Sequence, residues 1–210
     1  MRMRRKHNLD ERLARAAQWI VAEPETLRGQ WGKRYARETI CLEIGCGKGR
    51  FVIETAKANP DCLYIGLERE QGALVMAAEK AMESEIPNLV FLDADAAALD
   101  TFFAPGELAR IYLNFSDPWP KNKQAKRRLT HRGFLAQYRT VLRDGGEIFQ
   151  KTDNEKLFAF SLCEFSAMGF LLQNITLDLH ATDTPNIMTE YEERFAAQGM
   201  RIYRAEAVKQ

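Results

Sequence analysis

The sequence predicts one α/β domain, a mostly parallel seven-stranded sheet with helices on both faces. Three observations carry this expectation. Short apolar runs alternate with helical periodicities along most of the chain. The first run leads into the glycine loop Gly45-Cys46-Gly47-Lys48-Gly49, which in turn opens a helix. An acidic residue falls in or just after each of the first five strands: Glu43, Glu68, Asp95, Asp117 and Asp153. Ligands of such sheets bind outside the carboxyl ends of the strands, so acids gathered round that edge mark a site.

The elements follow in order. Residues 9–22 repeat Leu13, Ala16, Ala17 and Ile20 at helical spacing. Residues 39–44 form a short apolar strand, and 50–58 a helix with Phe51, Ile53, Thr55 and Ala56 in a helical pattern. Asn59-Pro60 stops it, because proline offers no amide to continue a helix. A strand at 63–67, a helix at 71–85 and strands at 89–92 and 111–115 come next. A helix over 131–142 ends at Asp144-Gly145-Gly146, ahead of a fifth strand at 147–150 and a helix at 155–168. Strands at 171–179 and 201–207 close the chain as an antiparallel pair. There is no internal repeat.

With 210 residues and 46% hydrophobic content, the chain builds one full-sized core. Its organisation reads as a basic N-terminal arm and helix over 1–38 and a main domain over 39–210. The net charge of +1 hides an uneven distribution. Residues 1–15 carry six basic and two acidic side chains, 29–37 carry Lys33, Arg34 and Arg37 with no acid, and 119–132 carry six basic residues with none. Between Glu68 and Glu107, acids outnumber bases nine to two. A polyanion would meet the basic segments and be repelled by much of the rest. Cys41, Cys46, Cys62 and Cys163 show no zinc spacing, and Cys41 and Cys163 lie in apolar runs as core thiols. No signal peptide, membrane span or metal-ligand cluster is read, so a reduced, cytoplasmic protein is expected.

The glycine loop has the strand-to-helix context of a nucleotide loop, and Glu68 stands at the usual distance for an acid on ribose hydroxyls. It departs from a dinucleotide loop in its G-x-G-x-G spacing and from a P-loop in lacking Gly-Lys-Ser/Thr. Glu43 before the loop would repel a pyrophosphate. Acids at Glu43, Glu68 and Asp95 instead expect a cationic ligand, and S-adenosylmethionine carries both a sulfonium and an ammonium.

A second motif runs Asn114-Phe115-Ser116-Asp117-Pro118-Trp119-Pro120, followed by Lys121, Lys123, Lys126, Arg127 and Arg128. The prolines make a stiff, extended exit from the strand. A carboxylate, a flat aromatic and a cationic strip then lie within a few residues of one another, which suits chemistry on a nucleobase whose phosphates are gripped nearby. Lys123, Lys126, Arg127 and Arg128 are the candidates for gripping that phosphate backbone. A solvated turn followed by a basic surface helix is the alternative reading of the same stretch.

At this point a resemblance becomes specific. The glycine loop resembles that of class I methyltransferases, a Rossmann-like fold. Residues Asp117 to Thr130 resemble the signature of the single-chain bacterial tRNA (guanine-N7)-methyltransferase family, and Thr189-Glu190-Tyr191-Glu192 resembles its later T-x-Y-E motif. Gln124 stands where that family usually has His. The resemblance implies S-adenosylmethionine as cofactor, with Glu43, Gly45, Gly47, Glu68, Asp95 and Asp117 lining its site. It implies a tRNA substrate whose variable-loop guanine contacts Lys121, Asp153, Thr189, Glu190, Tyr191 and Glu192, and makes the backbone gripped by Lys123, Lys126, Arg127 and Arg128 an RNA backbone. Whether the protein is a monomer or a homodimer is left open.

Guanine N7 carries an available lone pair, so its methylation needs no general base. Asp117 is the candidate catalytic carboxylate, stabilising positive charge as it moves onto the purine; ordering the turn is its other reading. Asp153 or Glu192 is placed to accept from the guanine Watson–Crick edge, and Trp119 and Tyr191 each read as a stacking or a packing aromatic. Trp19 and Trp31 read as packing residues. Two other functions compete: a non-catalytic RNA-binding protein of the same fold, and a nicotinamide-dependent oxidoreductase.

Overall fold

The structure is a computed structural model that describes residues 8–210. Arg2, Arg4, Arg5, Lys6 and His7, the most basic part of the expected arm, lie outside the described residues.

Seven strands form one sheet: β1 (Thr39–Ile44), β2 (Cys62–Glu68), β3 (Leu89–Asp93), β4 (Leu108–Asn114), β5 (Leu142–Thr152), β6 (Phe170–Thr176) and β7 (Tyr203–Lys209). Their order is β3-β2-β1-β4-β5-β7-β6. Strands β1 to β5 pair in parallel, while β7 runs antiparallel to both β5 and β6. The helices are α1 (Leu9–Arg15), α2 (Trp31–Tyr35), α3 (Arg50–Ala58), α4 (Gln71–Glu83), α5 (Leu99–Phe102), α6 (Arg132–Val141), α7 (Glu155–Ala167) and α8 (Glu190–Ala196). The strand order reverses between β1 and β4, which opens a crevice at their carboxyl ends.

Two cores sandwich the sheet. Phe51, Val52 and Ile53 of α3 and Leu74, Ala77 and Ala78 of α4 pack on Tyr64, Phe91 and Tyr112 on one face. Trp31, Phe103, Leu135, Tyr138 and Phe165 pack on Leu42, Ile65, Ile111 and Ile148 on the other. The inner strands β1 and β2 are buried almost throughout, as doubly covered parallel strands must be.

Several boundaries differ from the sequence reading, each for a local reason. Helix α1 stops at Arg15 rather than residue 22, because Ile20 is captured beside the sheet edge and the Val21 amide donates to the Phe91 carbonyl at 3.0 Å. Strand β4 ends at Asn114 because Phe115 turns into the left-handed region at φ 52°. Strand β5 begins at Leu142, running straight through Gly145-Gly146 with a bulge against β4. The basic stretch after Trp119 is a short 3₁₀ turn over Asn122–Arg127 rather than a surface helix. Cys163 is exposed, a correction to its reading as a core thiol, whereas Cys41 is buried. Helix α7 buries Leu157, Phe158, Ser161, Glu164 and Phe165, and at 3.6 residues per turn Cys163 faces away from that stripe.

The described N-terminal residues are fastened to the main sheet. Arg12 grips Glu79 of α4 with two bonds at 2.8 and 2.5 Å, and holds that carboxyl below its ordinary pKa. Trp31 is fully buried, packs on Phe103 with ring centroids 5.6 Å apart, and donates its indole N–H to the Phe102 carbonyl at 2.9 Å.

Candidate active site

Gly45 and Gly47 sit at φ +75° and +56°, conformations in which an L side chain is strained. A Cβ at either would meet nothing within 4 Å, so the loop is an open cradle. The amides of Gly45 and Cys46 donate to the Leu67 carbonyl at 2.8 and 3.1 Å, which ties the loop to the end of β2. Glu68 is held there too: its carboxylate accepts from the Gly47 amide at 3.0 Å and the Glu70 amide at 2.9 Å. Each oxygen keeps a lone pair for a ligand hydroxyl. Gly49 serves packing instead, since a Cβ there would come within 2.7 Å of the Ala77 Cβ on α4.

From this cradle a cleft of about 630 Å³ extends along the strand ends, lined by Gly45, Glu68, Asp95, Asn114, Asp117 and Trp119 among others. That is ample for a nucleoside-sized ligand. Glu43 lies behind the wall, 2% exposed; one oxygen accepts from the Asn114 amide at 2.8 Å and the other has no partner. Burial pushes its carboxyl up to about 7, with Asn114 and Lys151 opposing the rise. A buried, unpartnered carboxylate oxygen beside an open cradle fits the ammonium end of S-adenosylmethionine. Asp95 caps the turn Ala96–Ala98 through the Ala97 amide at 2.9 Å and pairs with Arg69 at 3.5 Å.

The Asp117 turn is braced at both sides. Phe115 and Trp119 adopt φ 52° and 41°, unusual for bulky residues. The Phe115 amide donates to the Lys151 carbonyl at 2.8 Å. Arg128 donates to the Pro118 and Trp119 carbonyls at 3.1 and 3.0 Å, with its guanidinium 4.4 Å from the Phe160 ring centroid. Arg128 is therefore occupied by the protein's own backbone, a correction to its expected place on the RNA backbone. Lys121, Lys123, Lys126 and Arg127 are exposed. Lys126 and Arg127 line the cleft, and Arg127 lies 4.9 Å from the centre of the Trp119 ring; Lys121 and Lys123 stand outside the lining.

The later motif meets the same edge. Tyr191 donates its hydroxyl to Asp153 at 2.9 Å and packs on Phe115 at 5.0 Å between ring centroids. Burial and Asp153 push the Tyr191 hydroxyl up to about 12. Thr189 caps α8 by accepting from the Glu192 amide at 2.9 Å, and Glu190 pairs with Lys80 at 2.6 Å. Glu192 is fully buried: one oxygen accepts from Lys151 at 2.6 Å and the other from the Asn186 amide at 2.6 Å. Glu192 thus presents no free carboxylate to a base, which corrects its assignment to the guanine edge; Asp153 is the acid left partly open. The sequence reading missed Asn114 and Lys151. A lysine two residues after Ile148-Phe149, near the end of a central strand, was the available signal, since a charge buried there needs a partner.

Among the described residues no cluster of three or more His, Cys, Asp or Glu could hold a metal ion, and no helix is long and apolar enough to cross a membrane.

Residues 37–205 match a family model described as a putative methyltransferase. The tRNA (guanine-N(7)-)-methyltransferase of Geobacillus thermodenitrificans (strain NG80-2) is 49% identical over 211 residues, covering 100% of this chain and 98% of its own. The enzyme of that name from Geobacillus sp. (strain WCH70) is 50% identical, with 98% and 94% covered. Among solved structures, the 16S rRNA methyltransferase KamB aligns with a TM-score of 0.65 at 16% identity, over 90% of this chain and 93% of its own. The aminoglycoside resistance methyltransferase NpmB1 aligns at 0.63 and 18%, over 87% and 93%. At such identities the likeness is one of fold.

Proposed function

The chain belongs to the tRNA (guanine-N7)-methyltransferase family, and we propose that it transfers a methyl group from S-adenosylmethionine to N7 of a variable-loop guanine in tRNA. The observation that carries this reading is the meeting, in one cleft, of the open glycine cradle, Glu68 and the braced Asp117.

The cofactor, when bound, supplies a methyl group on a positively charged sulfur. Gly45 and Gly47 admit it close to the backbone, Glu68 accepts from its ribose hydroxyls, and Glu43 sets a negative charge behind its amino-acid end. Asp95 holds the far wall. The residues then have one chemical task, since N7 already presents its lone pair: to bring the base in line and to offset the charge arriving on the purine. Asp117 does the latter from a rigid turn. Trp119, Tyr191 and Asp153 frame the entering base, and Lys121, Lys123, Lys126 and Arg127 hold the backbone of a nucleotide that has left its stack. A purely RNA-binding protein gains nothing from a line of acids at its binding edge, and the G-x-G-x-G spacing disfavours a nicotinamide cofactor.

The test is labelled methyl transfer to bulk tRNA with nucleoside mapping. N7-methylguanosine is alkali-labile, so borohydride–aniline treatment should cut the product at one site. Label on a ribose, a pyrimidine or another guanine atom would refute the assignment.

Glu43 makes cofactor binding depend on pH. Its folded-state pKa lies above the ordinary carboxyl value, so the free protein prefers the protonated form. Its contribution to stability is present below pH 4.5 and is lost as pH rises to about 7. A bound cation favours the carboxylate, so affinity should move the other way. Calorimetry should show tighter S-adenosylmethionine binding at about pH 8 than at about pH 6, by up to roughly tenfold. Glu43→Gln should flatten the difference; equal slopes in parent and variant would remove Glu43 from the site.

A further inference from the structure

The chain between β6 and β7 (residues 177–202) carries α8 and crosses the carboxyl edge of the sheet as a strap. Beneath part of it lies a cavity of about 470 Å³, walled by Phe51, Tyr112, Asn114, Phe149 and Lys151 and roofed by Pro185, Asn186 and Ile187. The strap is only partly seated there: Ile187 packs against the core cluster that holds Phe51 and Tyr112, but the open space beside it means that something polar must hold the rest.

Lys151 does so. It is 5% exposed, and its ammonium donates to Glu192 at 2.6 Å, to the Asn186 side chain at 2.9 Å and to the Ile187 carbonyl at 2.9 Å. All three N–H groups are used, on three points of one strap. The opposite partner is equally closed: Glu192 also accepts from Asn186 and lies 3.2 Å from His180. Two further ion pairs, Lys80 with Glu190 and Arg50 with Glu193, are substantially exposed and hold little by comparison. Through its carbonyl, Lys151 receives the Phe115 amide and so grips the turn that bears Asp117. Tyr191, next to Glu192, lies on both Phe115 and Asp153. One residue of β5 thus joins the strap to the catalytic turn.

We propose that Lys151 is a positioning residue for methyl transfer: with Glu192 as its buried counter-ion it locks the strap so that Tyr191 and Asp153 face the target base, and Glu192 itself does not touch that base. The inference rests on the reading that this site methylates a tRNA guanine. It makes Lys151 and Glu192 one device, with the guanine edge left to other groups.

The experiment compares Lys151→Met, Glu192→Gln, the double variant Lys151→Met/Glu192→Leu and Lys151→Arg. Each acts on tRNA carrying guanosine or inosine at the target position; inosine keeps N7 but lacks the 2-amino group. Turnover is counted per calorimetrically titrated cofactor site, so loss of folded protein does not register as loss of kcat. Lys151→Met and Glu192→Gln should each lower kcat at saturating cofactor by roughly 10- to 100-fold, a larger change than any in cofactor Kd, which Lys151 reaches only through the ionisation of Glu43. The double variant should lose no more than the worse single, and Lys151→Arg should recover part of the rate. The guanosine-to-inosine ratio of kcat/KM should stay at the parent value throughout. Breaking one half of a buried pair is strongly destabilising, so if a single variant fails to fold, the apolar double carries the same measurement. A ratio that collapses in Glu192→Gln but not in Lys151→Met would make Glu192 a base contact and overturn the proposal. So would unchanged kcat in folded Lys151→Met or in the double. A parent enzyme that does not methylate guanosine-bearing tRNA would instead fail the functional reading, an outcome visible before any variant is tested.

Discussion

Asp117→Asn should lower kcat/KM by roughly 10²-fold or more, about 2.7 kcal/mol of transition-state stabilisation, while leaving the fold and cofactor Kd in place. The side chain is exposed at the lip of the cleft, so nothing packed depends on it. Its backbone, by contrast, is over-determined. Left-handed Phe115 and Trp119 flank it, Arg128 holds the carbonyls of Pro118 and Trp119, and Phe115 is tied to β5. Such strained residues cost on the order of 1–3 kcal/mol each and persist only where the surroundings enforce them. The result is a carboxylate that need not reorganise when positive charge reaches the base. Asparagine keeps the shape and removes the charge, so the loss should fall on turnover. A cofactor-affinity loss of equal size would make Asp117 a binding residue, and unchanged kcat/KM would leave it as a residue that orders the turn.

Trp31→Ala should destabilise the protein by about 3–5 kcal/mol, read as a lower denaturant midpoint at unchanged slope. The indole is fully buried against Phe103 and stacks on Tyr35 with centroids 6.1 Å apart. Truncation removes that packing, leaves a cavity and strands the Phe102 carbonyl that the indole N–H satisfies. Because Trp31 precedes β1, the size of the effect measures how far residues 8–38 belong to the main core. A cost under about 1 kcal/mol would mean that this segment is a loosely attached arm.

Much of the candidate site was legible along the chain because its parts recur at strand ends. Glu43, Glu68 and Asp95 each follow or close an apolar run, and the glycines between β1 and α3 need no tertiary context to mark a close backbone approach. Helix α8 was not assigned, since Thr189, Glu190, Glu192 and Glu193 form a polar stretch whose capping and ion pairs exist only after folding. The two corrections at the site have one origin. Arg128 and Glu192 carry charges that look free in a sequence, and whether a charge meets solvent or a partner is set by residues far away: Arg128 by its own turn and Phe160, Glu192 by Lys151, 41 positions earlier.

The sequence by itself determined the doubly wound sheet, the acids gathered along the carboxyl ends of its strands and the basic turn beside Asp117. These follow from local periodicity, glycine and proline geometry, and the order of strands and helices. Only the tertiary structure decided which charged residues remain available. The burial of Lys151 and Glu192, the rise of Glu43 and the bracing of Asp117 all depend on desolvation and on partners brought from distant parts of the chain, and those are three-dimensional quantities with no periodic trace in one dimension.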